Sequence, residues 1–259
     1  MTPDRILAAI DGTWPPARIF DQGGWTFRQG QGGGQRVSAT TLARPPVTAD
    51  KPAAGGDGLS PEDMDAAIAR AEAGMLDMGQ HPLFMIRPGE TLLDAALDRR
   101  GYLVHDPVRA WACPPAQLCD RDIPRVTVFD LWEPLAIQRE IWAAGGIGPG
   151  RLAVMARTAG PRTALLGRWQ DKPAAVAFVA IHDGVAMLHA LEVRPEQRRK
   201  GMAGWMMRGA AAWARDNGAD CLAVLCTLAN GPANGLYAAL GMASVTEYHY
   251  RRRPDASGP

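Results

Sequence analysis

The segment with the clearest chemistry reads Leu191-Glu192-Val193-Arg194-Pro195-Glu196-Gln197-Arg198-Arg199-Lys200-Gly201-Met202-Ala203-Gly204. An apolar strand runs into three consecutive cations, and these run into small residues that open a helix. The arrangement suits a pyrophosphate. Backbone N–H groups in the first turn of a helix lack intrahelical partners and lie at the positive end of its dipole. Small residues admit an anion close to that backbone, and Arg and Lys add net charge. The expected anion holders are the side chains of Arg198, Arg199 and Lys200 and the amides of Gly201, Met202, Ala203 and Gly204.

Elements on either side must hold this loop in place. Upstream, residues 163–169, 174–181 and 185–193 alternate or run apolar and predict three antiparallel strands, with His182-Asp183-Gly184 as a tight turn. Regular alternation puts His189, Leu191 and Val193 on one face and Leu188, Ala190 and Glu192 on the other. Downstream, a helix carrying Met202, Trp205, Met206, Gly209 and Trp213 on one face ends at Asn217-Gly218. A strand over 221–227, a helix over 232–240 and a strand over 244–250 follow. Before these, a strand at 126–129 precedes helices near 133–144 and 151–158, which the glycine-rich run 145–150 separates.

The first half is less chemical. Residues 25–28 and 35–40 flank a glycine run and predict a hairpin. That run fails as a G-x-G-x-x-G phosphate loop because position 35 is Gln and no helical pattern follows. Residues 43–58 predict loop. Ser60-Pro61-Glu62-Asp63 predicts a capped helix start whose apolar face is Met64, Ile68, Ala71, Met75 and Met78, ending at Gly79. A short strand at 82–87, a helix at 90–100 stopped by Gly101 and a strand from Tyr102 complete it. Residues 113–124 predict the interdomain link.

Composition narrows the class. The 259 residues suit two domains of about 100–150 each, and 47% hydrophobic content can build cores. A formal net charge of +1 argues against a nucleic-acid partner, and the terminal run Arg251-Arg252-Arg253 predicts a solvated tail. No apolar stretch approaches the ~20 residues of a membrane span, and the N-terminus lacks a signal-peptide layout, so a cytoplasmic location is expected. The four cysteines form no C-x-x-C pair and no His cluster has zinc spacing; free thiols and no metal are expected.

Strand, cationic loop, helix, strand and helix, with Arg198-x-x-Gly201-x-Ala203, resemble the GNAT superfamily of acetyl-CoA-dependent N-acetyltransferases. A second family pattern, Asn-x-x-Ala-x-x-Leu-Tyr followed by Gly, is matched by Asn230 through Tyr237 and Gly241. The resemblance covers residues 126–250. It implies acetyl-CoA as acyl donor and a primary amine, on a small molecule or a peptide, as acceptor, and it leaves a homodimer open. It implies that backbone groups around Leu191 and Val193 hold the pantetheine arm, and it adds Asn230 to the cofactor-binding set. Tyr237 sits where the family keeps the acid that protonates the leaving thiolate. For the base there are two candidates, His189, matching a His in one branch of the family, and Glu192, since other members carry a Glu on this strand. A hydrogen-bonded core His and a surface Glu paired with an Arg are the structural alternatives. The acceptor pocket is expected from residues 144–150 and the last strands. A CoA-binding sensor that has lost turnover is the competing function.

A shift of 140 residues carries Gly101 onto Gly241 and residues 83–87 onto 223–227, while Gly79 lands one place past Gly218. This suggests two copies of one fold, as in tandem GNAT proteins. The expected fold is thus α/β, of α+β type, with two GNAT-like domains, each a mixed, largely antiparallel twisted sheet flanked by helices. The expected boundaries are 1–122 for a degenerate copy and 123–259 for the acetyltransferase. Asp57-Gly58-Leu59-Ser60 replaces the cationic loop and Leu97 replaces Tyr237, so one copy is expected to work.

Overall fold

The computed structural model describes residues 2–43 and 60–254. The chain forms two compact units, the first built from Met1–Pro15 and Arg109–Thr246, the second from Pro16–Val108 and Glu247–Pro259. These units cut across the boundary expected at 122/123. The cause is packing that sequence distance hides. Helix α1 (Pro3–Thr13) buries Ile6, Ala9, Ile10 and Thr13, and its partners are strands of the first unit.

In the first unit, strands β6 (Val128–Leu131), β7 (Arg162–Trp169), β8 (Lys172–His182), β9 (Val185–Val193) and β10 (Cys221–Thr227) lie side by side in that order. β6 to β9 are antiparallel and β10 joins β9 in parallel. Asp183 and Gly184 both take positive φ in the predicted turn. Helices α1, α4 (Ala136–Ala144) and α6 (Met202–Asp216) pack on β8 and β9; α5 (Pro149–Arg157) follows α4, and α7 (Gly231–Ala239) follows β10. Met202, Met206 and Met207 of α6 are buried with Leu165, Ala175, Ala177, Val179 and Leu188. Each buried Met, Leu or Val among them stabilises by about 1.5–3 kcal/mol.

In the second unit, β1 (Arg18–Gln22) and β2 (Trp25–Gln29) form the hairpin, and β3 (Thr41–Leu42) pairs with β2. This corrects the hairpin expected between 25–28 and 35–40: Gln35–Val37 is a short 3-10 turn. Helix α2 (Pro61–Asp77) begins with the predicted box, Ser60 Oγ accepting from the Asp63 amide and the Asp63 carboxylate accepting from the Ser60 amide. Strand β4 (Leu83–Ile86), helix α3 (Thr91–Arg99) and strand β5 (Leu103–Cys113) follow. The unit boundary falls inside β5 and inside β11 (Ala243–Arg252), whose Glu247–Arg252 part belongs to the second unit. The expected loop at 43–58 and the Asp57-Gly58-Leu59 comparison lie outside the described residues, apart from Ala43.

The order helix, three strands, helix, strand, helix, strand occurs twice, as α1-β1-β2-β3-α2-β4-α3-β5 and as α5-β7-β8-β9-α6-β10-α7-β11. Shifting by 140 residues superposes Thr91–Arg99 on Gly231–Ala239 and the start of β5 on the start of β11. The mixed sheets flanked by helices match the expected fold class.

Candidate active site

The site begins with an irregularity in β9. Phe178 of β8 stands opposite His189, and Val176 stands opposite Glu192. Two steps along β8 therefore match three along β9, which is a β-bulge, and Ala190 absorbs the extra residue with φ +51°. The bulge breaks the alternation. Leu188, Leu191 and Val193 pack into the α6 core, while His189 and Glu192 face the other side. This corrects the expectation that His189 shares a face with Leu191 and Val193. Trp142 of α4 fixes the bulge by donating its indole N–H to the Ala190 carbonyl at 2.8 Å.

Beyond the bulge β9 loses a neighbour. Its parallel pairing with β10 ends at Leu188 opposite Val224. Residues 189–193 and 225–227 run on without such pairing, so the two strands part and main-chain groups of β9 line the gap. The loop after β9 turns through a 3-10 turn at Pro195–Gln197, with Arg199 and Gly201 both left-handed at φ +63° and +79°. Gly201 is the N-cap of α6 and no side chain caps that helix. A Cβ at Gly201 would meet nothing within 4 Å. The first-turn amides of Met202, Ala203 and Gly204 have no side-chain cap, the condition under which a helix N-terminus can receive an anion. Arg198 and Lys200 stand beside it: Arg198 Nε donates to the Val193 carbonyl at 3.1 Å, and Lys200 Nζ to Gln197 Oε1 at 3.0 Å.

Tyr237 is buried on α7, in the same core as Cys226, Leu191 and Val193 and 6.4 Å from the Trp111 ring. Burial, and secondarily Cys226, pushes its phenol well above the ordinary tyrosine range, so it holds its proton. Asn230 uses its carboxamide oxygen to cap α7 at the Ala233 amide. Asn234 accepts the Trp111 indole N–H at 2.9 Å and donates to the Thr227 and Asn230 carbonyls.

His189 is only 4% exposed. Its ring lies 4.9 Å from that of Trp14 and 6.3 Å from that of Phe178, and its Nε2 is 3.0 Å from Thr13 Oγ1. Glu192 is partly exposed and pairs with Arg198 at 3.2 Å. That ion pair is worth under about 1 kcal/mol because Arg198 lies largely in solvent. Gly145, just after α4, makes room for Glu192: a Cβ there would fall 2.7 Å from the carboxyl carbon.

Residues 131–242 match the sequence model of the Acetyltransferase (GNAT) family. They form a GNAT acetyltransferase domain. A curated relative, the uncharacterized N-acetyltransferase YobR of Bacillus subtilis strain 168, is 32% identical over 77 residues, which is 30% of this chain and 31% of that protein. Among solved structures, a GCN5-related N-acetyltransferase from Kribbella flavida is similar over 99% of this chain and 97% of its own, with a TM-score of 0.72 at 20% identity. A tandem GNAT protein from the clavulanic acid biosynthesis pathway is similar over 91% of this chain and 83% of its own, with a TM-score of 0.58 at 11% identity. These likenesses establish the fold.

The GNAT domain's parting strands have a counterpart in the second unit that is closed. There Thr40 bridges Phe84 in parallel, as Leu188 meets Val224. Past this bridge the Arg87 guanidinium donates to the Leu42 carbonyl at 2.6 Å, and buried Glu90 accepts from both its guanidinium and its amide. A charged side chain thus spans the strand ends. Leu97, at the place of Tyr237, is a fully buried core residue.

Sequence reasoning missed Thr13, Trp14 and Trp142. The signal for α1 was present in Thr2-Pro3 followed by Ile6, Ala9, Ile10 and Thr13 at helical spacing. Its destination beside His189 had none. Among the described residues no His, Cys, Asp and Glu group could hold a metal, and no helix is long and apolar enough to cross a membrane. The four cysteines are free; burial raises Cys113 to about 12 and Cys221 to about 11.

Proposed function

We propose that the chain is an acyl-CoA-dependent N-acyltransferase that moves an acetyl group from acetyl-CoA to a primary amine by direct attack in a ternary complex. The observation that carries this reading is the N-terminus of α6, which no side chain caps, flanked by Arg198, Arg199 and Lys200 and preceded by the strand β9 whose pairing with β10 ends at Leu188. The cradle takes the pyrophosphate, with Arg199 turned by its left-handed backbone. The gap takes the pantetheine arm along the main chain of Leu191 and Val193. A backbone N–H there polarises the thioester carbonyl as an oxyanion-hole donor does. Asn230, as cap of α7, holds the helix end that borders this gap.

Tyr237 supplies the proton to the leaving thiolate; its raised pKa keeps that proton available at neutral pH. The amine must lose a proton, and both acceptors stand on one face of β9. Glu192 is the group an incoming amine reaches. His189, buried on the same face, is the further acceptor, reached through Glu192 or a water. A cytoplasmic location belongs to this reading and is supported by four free cysteines.

The test is thiol release from acetyl-CoA with a panel of polyamines, amino acids, aminoglycosides and peptides. Release that depends on an amine supports the enzyme. Tight acetyl-CoA binding with no release under any amine supports a CoA-binding sensor instead.

A further inference from the structure

We infer that Thr13, in the helix at the start of the chain, is a positioning residue for His189 and sets which ring nitrogen carries its proton. The inference rests on the reading of His189 as the proton acceptor. Thr13 is fully buried at the end of α1. Its hydroxyl has one proton, and the nearest acceptor is the Ala9 carbonyl one turn back, at 2.7 Å. The Ile10 carbonyl at 3.5 Å and the Met187 sulfur at 3.6 Å are poorer partners. With its proton committed to Ala9, Thr13 Oγ1 faces His189 Nε2 at 3.0 Å as an acceptor. Nε2 must then carry the hydrogen, and the basic lone pair belongs to Nδ1. In its neutral form the ring is held to this tautomer from the Nε2 side, with Trp14 packed against it at a centroid distance of 4.9 Å and an interplanar angle of 32°.

The helix is anchored well enough to act as a fixed support. Arg5 bonds the Asp183 carbonyl at 2.9 Å and pairs with Asp220 at 2.7 Å, both in the first unit. Thr158 donates to the Val154 carbonyl at 3.2 Å and lies 3.5 Å from the Thr13 carbonyl. Residues at the very start of the chain therefore complete a site whose other parts lie near residues 189–237. A neutral imidazole accepts a proton only at the nitrogen that lacks one, so the neighbour that fixes the tautomer fixes the side of the ring from which the proton must arrive.

The experiment uses the full chain with 15N-labelled histidine. Long-range proton–nitrogen spectra, with His189 assigned by its loss in His189→Gln, should show the Nε2–H tautomer in the wild type and in Thr13→Ser. Thr13→Val, which keeps the shape and removes the acceptor, should lose that preference. With the best amine of the panel, Thr13→Val should lower kcat at least about tenfold with KM for acetyl-CoA unchanged, and Thr13→Ser should restore it. A wild-type His189 in the Nδ1–H form, or a tautomer indifferent to Thr13→Val, overturns the inference. If His189→Gln leaves turnover intact, the assignment of His189 as acceptor fails, while the tautomer result still reports on Thr13. A Thr13→Val chain that fails to fold leaves the wild-type and Thr13→Ser spectra to decide.

Discussion

His189 and Glu192 stand on the same face of β9 although three residues separate them, because Ala190 bulges out of the ladder. In a regular strand residues three apart point to opposite faces. The bulge thus brings a buried imidazole and a partly exposed carboxylate to one side of the sheet, where they can share a proton path. Single and double variants should show it. His189→Gln and Glu192→Gln should each lower kcat/KM, and the double variant should lose much less than the product of the two losses. Multiplicative losses would mean that the two groups act independently.

The proposed anion cradle depends on Gly201. Gly201→Glu forces a side chain into a left-handed backbone at φ +79° and places a carboxylate beside the first-turn amides of α6. Acetyl-CoA affinity should fall at least tenfold, about 1.4 kcal/mol, with the circular dichroism spectrum unchanged. Calorimetry showing wild-type affinity would remove the cradle assignment.

Tyr237→Phe keeps the packing and deletes the proposed proton donor. Turnover should fall on the order of 10²-fold or more, with acetyl-CoA binding near wild type. Because burial raises the phenol, its loss of function by deprotonation should begin only above pH 10, and a kcat profile can check this. A Phe variant with full turnover would assign thiolate protonation to another group.

One acetyl-CoA should bind per chain. In the second unit the Arg87–Glu90 pair spans the strand ends, and Leu97 takes the place of an acid. Calorimetric titration should give a stoichiometry of one, abolished by Gly201→Glu. Two sites per chain would contradict this assignment.

Asp94 ties the second unit together by accepting from His249 Nε2 at 2.9 Å and from Arg251 Nε at 2.7 Å. Burial alone would raise its pKa, but these bonds outweigh it and hold the group below its ordinary value. A depressed folded pKa contributes stability above the unfolded value, and that stability is lost as pH falls through the folded one. Asp94→Asn should therefore lower the unfolding midpoint at pH 7, by about 2–4 °C per kcal/mol lost. The gap between variant and wild type should close as pH drops below the ordinary carboxylate range. A gap that persists in acid would show that charge is not its source.

Much of this was written locally in the chain. The Ser60 capping box, the Asp183-Gly184 turn and the cationic loop into α6 depend on neighbours a few residues apart, so spacing alone reveals them, and comparing such local patterns along the chain reveals the 140-residue offset between α3 and α7. Three features did not show. Arg18–Gln22 is mostly exposed and lacks alternation, so the true hairpin partner of β2 left no pattern. A lone alanine at 190 carries no mark of a positive φ. The affinity of α1 for the first unit appears only when Thr13 meets His189, 176 residues away. Short-range periodicity determines which segments become helix or strand. Register, bulges and the unit to which a helix belongs are decided by which buried surfaces meet, and only the folded chain brings those surfaces together.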